Sequence, residues 1–141
     1  MVAAILAPVL DTTVQTVRLF LHVLAATVWV GGQFTLAGLV PGLRALSPDA
    51  PRAVGRRFAR LAWPAYAVLV ATGIWNIVAV HATWSGAYGT TLIIKITVVA
   101  VSGISAFGHG ISRSRVALSV WGALAGVSAV AALFLGVLLH G

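Results

Sequence analysis

The residues of this sequence that could carry chemistry are its histidines and its one lysine. The chain holds four histidines, two acidic residues and no cysteine. Neutral imidazole binds copper, zinc or haem iron, whereas paired-acid catalysis and thiolate metal sites need side chains that this sequence lacks. His22 and Lys95 stand inside long apolar stretches. A polar side chain in such a stretch needs a structural or functional reason.

The composition predicts an integral membrane protein. Of the 141 residues, 60% are hydrophobic and 8% are charged, and the mean hydropathy is +1.06. A soluble domain carries about 25% charged residues. The net charge of +7 does not indicate a nucleic-acid partner, because the charges are few and stand mostly between apolar stretches. We expect the lipid bilayer to be the main partner.

Four apolar stretches are long enough to cross a bilayer as helices, which takes about 20 residues each. We therefore predict an all-α membrane protein with one domain over residues 1–141, folded as an antiparallel four-helix transmembrane bundle. The spans are expected at about 16–40, 61–80, 90–108 and 116–139. The first should end before Pro41, and a basic helical turn within residues 52–60 should lead into the second.

The arginines predict the orientation of the bundle. Five of the nine basic residues lie in the loop 41–60 and two lie in the loop 109–115, while the remaining loop has none. By the positive-inside rule, loops 41–60 and 109–115 are cytoplasmic and both termini are extracytoplasmic. Arg18, near the outer end of the first span, is the exception to this pattern.

This topology places several polar groups at one depth in the outer third of the bundle. At about 1.5 Å per residue, His22 lies about 9 Å inside the membrane and Lys95 about 7.5 Å. Trp75 and Asn76 lie about one turn from the outer end of the second span. His22 and Lys95 also fall on the helix faces expected to look inward.

A metal site at this depth is the working hypothesis. Its expected ligands are His22, His81 and His140, with Lys95, Asn76 and Trp75 as supporting or gating groups. Structural interpretations stay open for each. His22 could bond a neighbouring helix, Lys95 could extend to the outer headgroups, and His81 and His140 could be ordinary interfacial residues.

Gly122 and Gly126 form a small-xxx-small pattern in the fourth span. Such patterns let helices approach closely in membranes. We expect packing within the bundle, with a homo-oligomer through Gly122 and Gly126 as the alternative.

Several short motifs of the sequence belong together, and the Tyr-Gly-x-x-Leu-x-x-Lys element over residues 88–95 is the most specific of them. The others are Leu21-His22, Trp29-Val30-Gly31-Gly32, Arg57-Phe58-Ala59-Arg60-Leu61-Ala62 and Thr72-Gly73. Together these motifs resemble the copper-resistance D (CopD) membrane family. The resemblance implies a multi-pass protein of the bacterial inner (plasma) membrane that handles copper in uptake or tolerance, working with a periplasmic copper carrier. Copper is then the expected metal.

A fainter resemblance links the chain to HemJ-type protoporphyrinogen oxidases, which are also small four-span proteins. It implies haem b as the cofactor, with His22 as the haem ligand and Lys95 as the partner of a porphyrin carboxylate. A structural subunit of a larger membrane complex is the third hypothesis. The sequence contains no GxSxG, HExxH or P-loop motif, so it predicts no particular enzymatic activity.

Overall fold

The computed structural model describes residues 13–139 and consists of four long helices. They are α1 (Val14–Leu46), α2 (Ala50–Ala79), α3 (Gly86–Ile111) and α4 (Arg115–Leu138). All four are long and apolar enough to cross a membrane, and the described residues form no strand. The predicted fold class, an all-α membrane bundle with four spans, is confirmed.

The helices extend beyond the predicted spans, most clearly at the loop that joins the first two. Helix α1 continues through Pro41 to Leu46 instead of ending before the proline. Proline removes one backbone hydrogen bond from a helix, and here that loss does not stop the last turns from forming. Helix α2 begins at Ala50 with Pro51 in its first turn, where the missing N–H is tolerated. The basic segment 52–60 is helical, as expected.

Helix α1 contains one turn of π-helix, Thr27–Gly31, with Trp29 at its centre. A π-turn inserts an extra residue into an α-helix and occurs often at functional sites. The side chains of α1 after this turn therefore point in directions that differ from those of an uninterrupted α-helix.

The bundle exposes large apolar side chains along all four helices. Phe20, Ile74, Phe107 and Phe134 are each more than half exposed. In a bilayer such side chains face lipid tails, which are as apolar as they are. Burial of apolar surface therefore contributes little to helix association, and close packing and hydrogen bonds must contribute more.

Glycines allow the close packing. A Cβ atom on Gly108 of α3 would lie 2.8 Å from the indole of Trp121 of α4. A Cβ on Gly103 of α3 would overlap the phenol of Tyr66 of α2. The absence of a side chain at these two positions lets α3 approach both of its neighbours.

Hydrogen bonds between helices link the centre of the bundle. Trp29, only 3% exposed, donates its Nε1–H to Ser102 Oγ on α3 over 3.0 Å. Ser102 Oγ in turn lies 3.4 Å from the carbonyl oxygen of Ala125 on α4. Tyr66 on α2 donates its hydroxyl to the Val99 carbonyl on α3 over 2.9 Å. Polar contacts of this kind connect all four helices at mid-depth.

Candidate functional site

The site is centred on His22, which bonds across the α1–α2 interface. Its Nδ1 lies 2.8 Å from Thr72 Oγ1. The imidazole is half-buried, and its Cε1 would be 3.6 Å from a Cβ placed on Gly73. Thr72-Gly73 thus supplies both the hydrogen-bond partner and the space for the ring.

The bonds of Thr72 determine the tautomer of His22. Its hydroxyl lies 2.7 Å from the Val68 carbonyl and 3.2 Å from the Leu69 carbonyl, and it donates to these backbone acceptors. A hydroxyl has one hydrogen, so Oγ1 must accept from His22, and Nδ1 carries the proton. The lone pair of the neutral ring is then on Nε2. A hydrogen bond from one ring nitrogen orients many metal-binding histidines in this way.

Lys95 lies at the same depth as His22. Helices α1 and α3 run in parallel and are linked by the bond between Trp29 and Ser102. His22 precedes Trp29 by about two helical turns, and Lys95 precedes Ser102 by the same distance. The Lys95 Nζ would be 3.1 Å from a Cβ placed on Gly136 of α4. The half-buried lysine therefore packs against α4, and the glycine makes room for its ammonium group.

One turn from His22, toward the beginning of α1, two more polar groups lie at a shared level. Arg18 is one turn before His22 on α1, and Asn76 is one turn after Thr72 on the antiparallel α2. Arg18 is only 7% exposed. Within residues 13–139, neither Arg18 Nε nor Asn76 Oδ1 has a hydrogen-bond partner.

An aromatic cluster lies on the side of His22 that is away from Arg18 and Asn76. The ring centroids of Trp29 and Tyr66 are 4.5 Å apart, and Trp63 contacts both rings edge-on. The cluster fills the middle of the α1–α2 interface, and His22, Lys95, Arg18 and Asn76 all lie on one side of it.

His81 has a clear structural role. Helix α2 ends in a Schellman motif, in which Ala82 N–H bonds the Ile77 carbonyl and His81 N–H bonds the Val78 carbonyl. His81 is the left-handed residue of this motif, with φ of 48°. Its side chain is exposed. The left-handed backbone conformation is a reason for a turn-forming residue at position 81, and this reason involves no ligand role.

The other predicted site residues lie apart from His22 or outside the described range. Trp75 is 43% exposed, as expected of an interfacial aromatic side chain. His140 lies outside the described residues. His109 donates from Nδ1 to the Leu118 carbonyl over 2.9 Å, which ties the ends of α3 and α4 together.

No group of three or more His, Cys, Asp or Glu side chains that could hold a metal ion occurs within residues 13–139. Two grooves open on the bundle surface, and neither is lined by His22. One, of about 400 Å³, lies between α2 and α3 beside Trp63 and Phe107. The other, of about 320 Å³, lies between α1 and α4 beside Gln33, Gly122 and Gly126.

The two glycines of the small-xxx-small pattern have different surroundings. A Cβ on Gly122 would lie 3.1 Å from His109 Nδ1, whereas a Cβ on Gly126 would meet nothing within 4 Å. Gly122 thus serves packing within the bundle. Gly126 faces the open groove.

Sequence reasoning missed Thr72 and Ser102 as polar partners. Thr72 belongs to the Thr-Gly pair of the second span, but a hydroxyl in a membrane helix usually bonds its own backbone. Its position opposite His22 follows only from the register of α1 and α2. Comparisons of the chain with protein-family profiles, curated proteins and solved structures found no match.

Proposed function

We propose that this protein binds haem b in the membrane through the imidazole of His22. The observation that carries the proposal is the hydrogen bond between His22 Nδ1 and Thr72 Oγ1, at 2.8 Å. This bond fixes the ring and puts its lone pair on Nε2, the state in which a neutral imidazole binds iron. The residues present fit such a ligand role, since the ring is oriented by a partner that itself is bonded to backbone carbonyls.

Charge favours haem over a bare copper ion. Lys95 lies at the depth of His22, and the one acidic side chain between residues 13 and 139 is Asp49, at the opposite end of the bundle. A metal cation would be repelled by the lysine. The propionate groups of haem would be attracted to it, because a cation and a carboxylate pair strongly where water is scarce.

Bound haem iron supplies a redox-active centre, and the residues of the chain would control its surroundings. Thr72 holds the imidazole plane. Lys95 would pair with a haem carboxylate at the same depth. The cluster of Trp29, Trp63 and Tyr66 closes the bundle on one side of the site. A porphyrin oxidase of the HemJ type is one activity consistent with this arrangement.

Copper handling is the second candidate, as the CopD resemblance implies. Neutral imidazole is also a copper ligand, so the tautomer of His22 suits this metal as well. A copper site would need further ligands, for which His81 and His140 remain the candidates. In this case a periplasmic copper carrier would be the partner. A structural subunit of a larger complex would need neither His22 nor a metal.

The proposed location is the bacterial inner membrane, with both termini extracytoplasmic and loops 41–60 and 109–115 cytoplasmic. The basic residues of these loops support it. His22 and Lys95 then lie toward the outer surface. Haem or copper would reach the site from the periplasmic side or from the outer leaflet.

Titration of metal-free protein with haem tests the proposal. We expect a Soret band that saturates at about one haem per chain, since one imidazole defines one site. His22→Ala should weaken binding by at least about tenfold, the lower end of what losing a ligand-orienting group alone costs. His109→Ala is the matched control, because this histidine is bonded at the opposite end of the bundle.

Equal haem binding by wild type and His22→Ala would contradict the proposal. Copper binding that is lost in His22→Ala, with no haem binding, would establish the copper function instead. A protein that binds neither and tolerates replacement of His22 would be a structural subunit.

A further inference from the structure

Arg18 is a buried cation in a part of the bundle where no described side chain is acidic. The residue is 7% exposed, and within residues 13–139 its Nε–H has no acceptor. A charge inside a membrane protein normally pairs with another group or faces a functional site. An anionic partner would supply both an acceptor for this N–H and a charge that balances the guanidinium.

The described chain does not provide this partner. Asp49 is the one acid between residues 13 and 139, and it lies in the loop between α1 and α2 at the other end of the bundle. His22 and Lys95 both lie about one turn away in depth, and Lys95 adds a second positive charge. The outer half of the four described helices thus carries positive charge with no carboxylate.

Asn76 provides a second polar atom without a partner at the same level. Its Oδ1 is buried without a donor, and the pairing of His22 with Thr72 sets Asn76 opposite Arg18 in the antiparallel register. The oxygen and nitrogen of an amide can exchange places by rotation about χ2. Asn76 can then offer an N–H group to an oxygen that Arg18 also binds.

We propose that Arg18 and Asn76 form a binding site for an oxyanion, a phosphate group in the outer half of the bundle. The guanidinium has a planar set of N–H donors that matches two oxygens of one phosphate or carboxylate. The phosphate can come from an anionic lipid headgroup or from solution. The inference does not rest on the proposed cofactor, and its test uses cofactor-free protein.

The test is a titration of delipidated, full-length protein in a non-ionic detergent. The probes are sodium phosphate, compared with sodium chloride at equal ionic strength, and dihexanoyl phosphatidic acid, compared with dihexanoylglycerol. A ligand that binds the folded state raises the unfolding temperature in a saturable way, and tryptophan fluorescence follows unfolding. Native mass spectrometry counts bound lipid.

We expect saturable stabilisation by at least one phosphate probe and none by its control. Arg18→Gln should weaken binding by at least about tenfold, as expected for loss of a charged hydrogen-bond donor. Arg18→Lys keeps the charge without the planar fork, so its affinity should be intermediate. Arg113→Gln, at an exposed arginine between α3 and α4, should bind like wild type.

The two probes separate the two sources of phosphate. Stabilisation by phosphatidic acid alone assigns the site to a lipid, and stabilisation by inorganic phosphate as well assigns it to a soluble anion. No stabilisation of wild type by either probe would overturn the proposal, as would equal affinity in Arg18→Gln and wild type. Asp11, which precedes the described residues, is the other acid of the chain. An Asp11→Asn variant that lowers stability as much as Arg18→Gln, in protein that binds no phosphate, would identify it as the partner.

Discussion

Replacing Thr72 by valine should destabilise the α1–α2 interface and misorient His22. Valine has nearly the shape of threonine, so the change removes Oγ1 and little else. The His22 Nδ1–H, now 2.8 Å from Oγ1, loses its acceptor in an environment where Thr72 is 5% exposed. The Val68 carbonyl loses only a second donor, because it already accepts within the helix.

The expected loss of stability follows from the position of this hydrogen bond between two membrane helices. Hydrogen bonds between membrane helices contribute about 0.6 kcal/mol on average and up to about 1.7 kcal/mol. A buried donor left without a partner costs about 1–3 kcal/mol. We therefore expect Thr72→Val to lower the free energy of unfolding by about 1–2 kcal/mol, and to weaken metal or haem binding by about 10–100-fold.

A double-mutant cycle with His22→Ala isolates the bond from the packing of each side chain. Unfolding in mixed micelles is followed by tryptophan fluorescence, and haem affinity by the Soret band. Thr72→Ser keeps the hydroxyl and should show coupling to His22 close to that of wild type. A coupling energy below about 0.3 kcal/mol, half the average for such bonds, would refute the structural role assigned to Thr72.

Three further predictions follow from the packing and the topology. Ser102→Ala leaves an indole N–H of the core without an acceptor and should lower the free energy of unfolding by about 1–3 kcal/mol, measured by the same unfolding assay; no change would contradict the bond. Gly108→Ala should reduce thermal stability, because its Cβ would lie 2.8 Å from an indole. Gly126→Ala should not, because its Cβ would meet nothing within 4 Å. Equal effects of the two variants on the unfolding temperature would contradict the packing. Because the chain has no cysteine, the single-cysteine variants Ala45→Cys and Ser85→Cys can be labelled without background. In intact spheroplasts, a membrane-impermeant maleimide should label only position 85. Labelling of position 45 instead would reverse the predicted orientation.

The sequence predicted the bundle well because membrane spans are defined by length and apolarity alone. It did not predict that α1 continues beyond Val40, since Pro41 was expected to end the span, whereas the helical segment within 52–60 was predicted. Sequence periodicity could not reveal the π-turn at Thr27–Gly31 either.

The site was predicted only in part. His22, Lys95 and Asn76 stood out as polar residues in apolar spans, and their shared depth follows from simple helix arithmetic. The partner Thr72 and the capping role of His81 depend on which faces of α1 and α2 meet and on how α2 ends. These are properties of the folded chain. Arg18 is the exception to the charge pattern of the loops, and only the structure shows that it is buried.

The most direct test of the cofactor claim is a visible spectrum of the detergent-purified protein, oxidised and then reduced, with iron and copper measured on the same sample. The account predicts a Soret band that shifts on reduction, about one iron per chain as expected for one axial imidazole site, and loss of both signals in His22→Ala. A colourless protein that retains copper, or that stays metal-free after haem and copper are added, would contradict it.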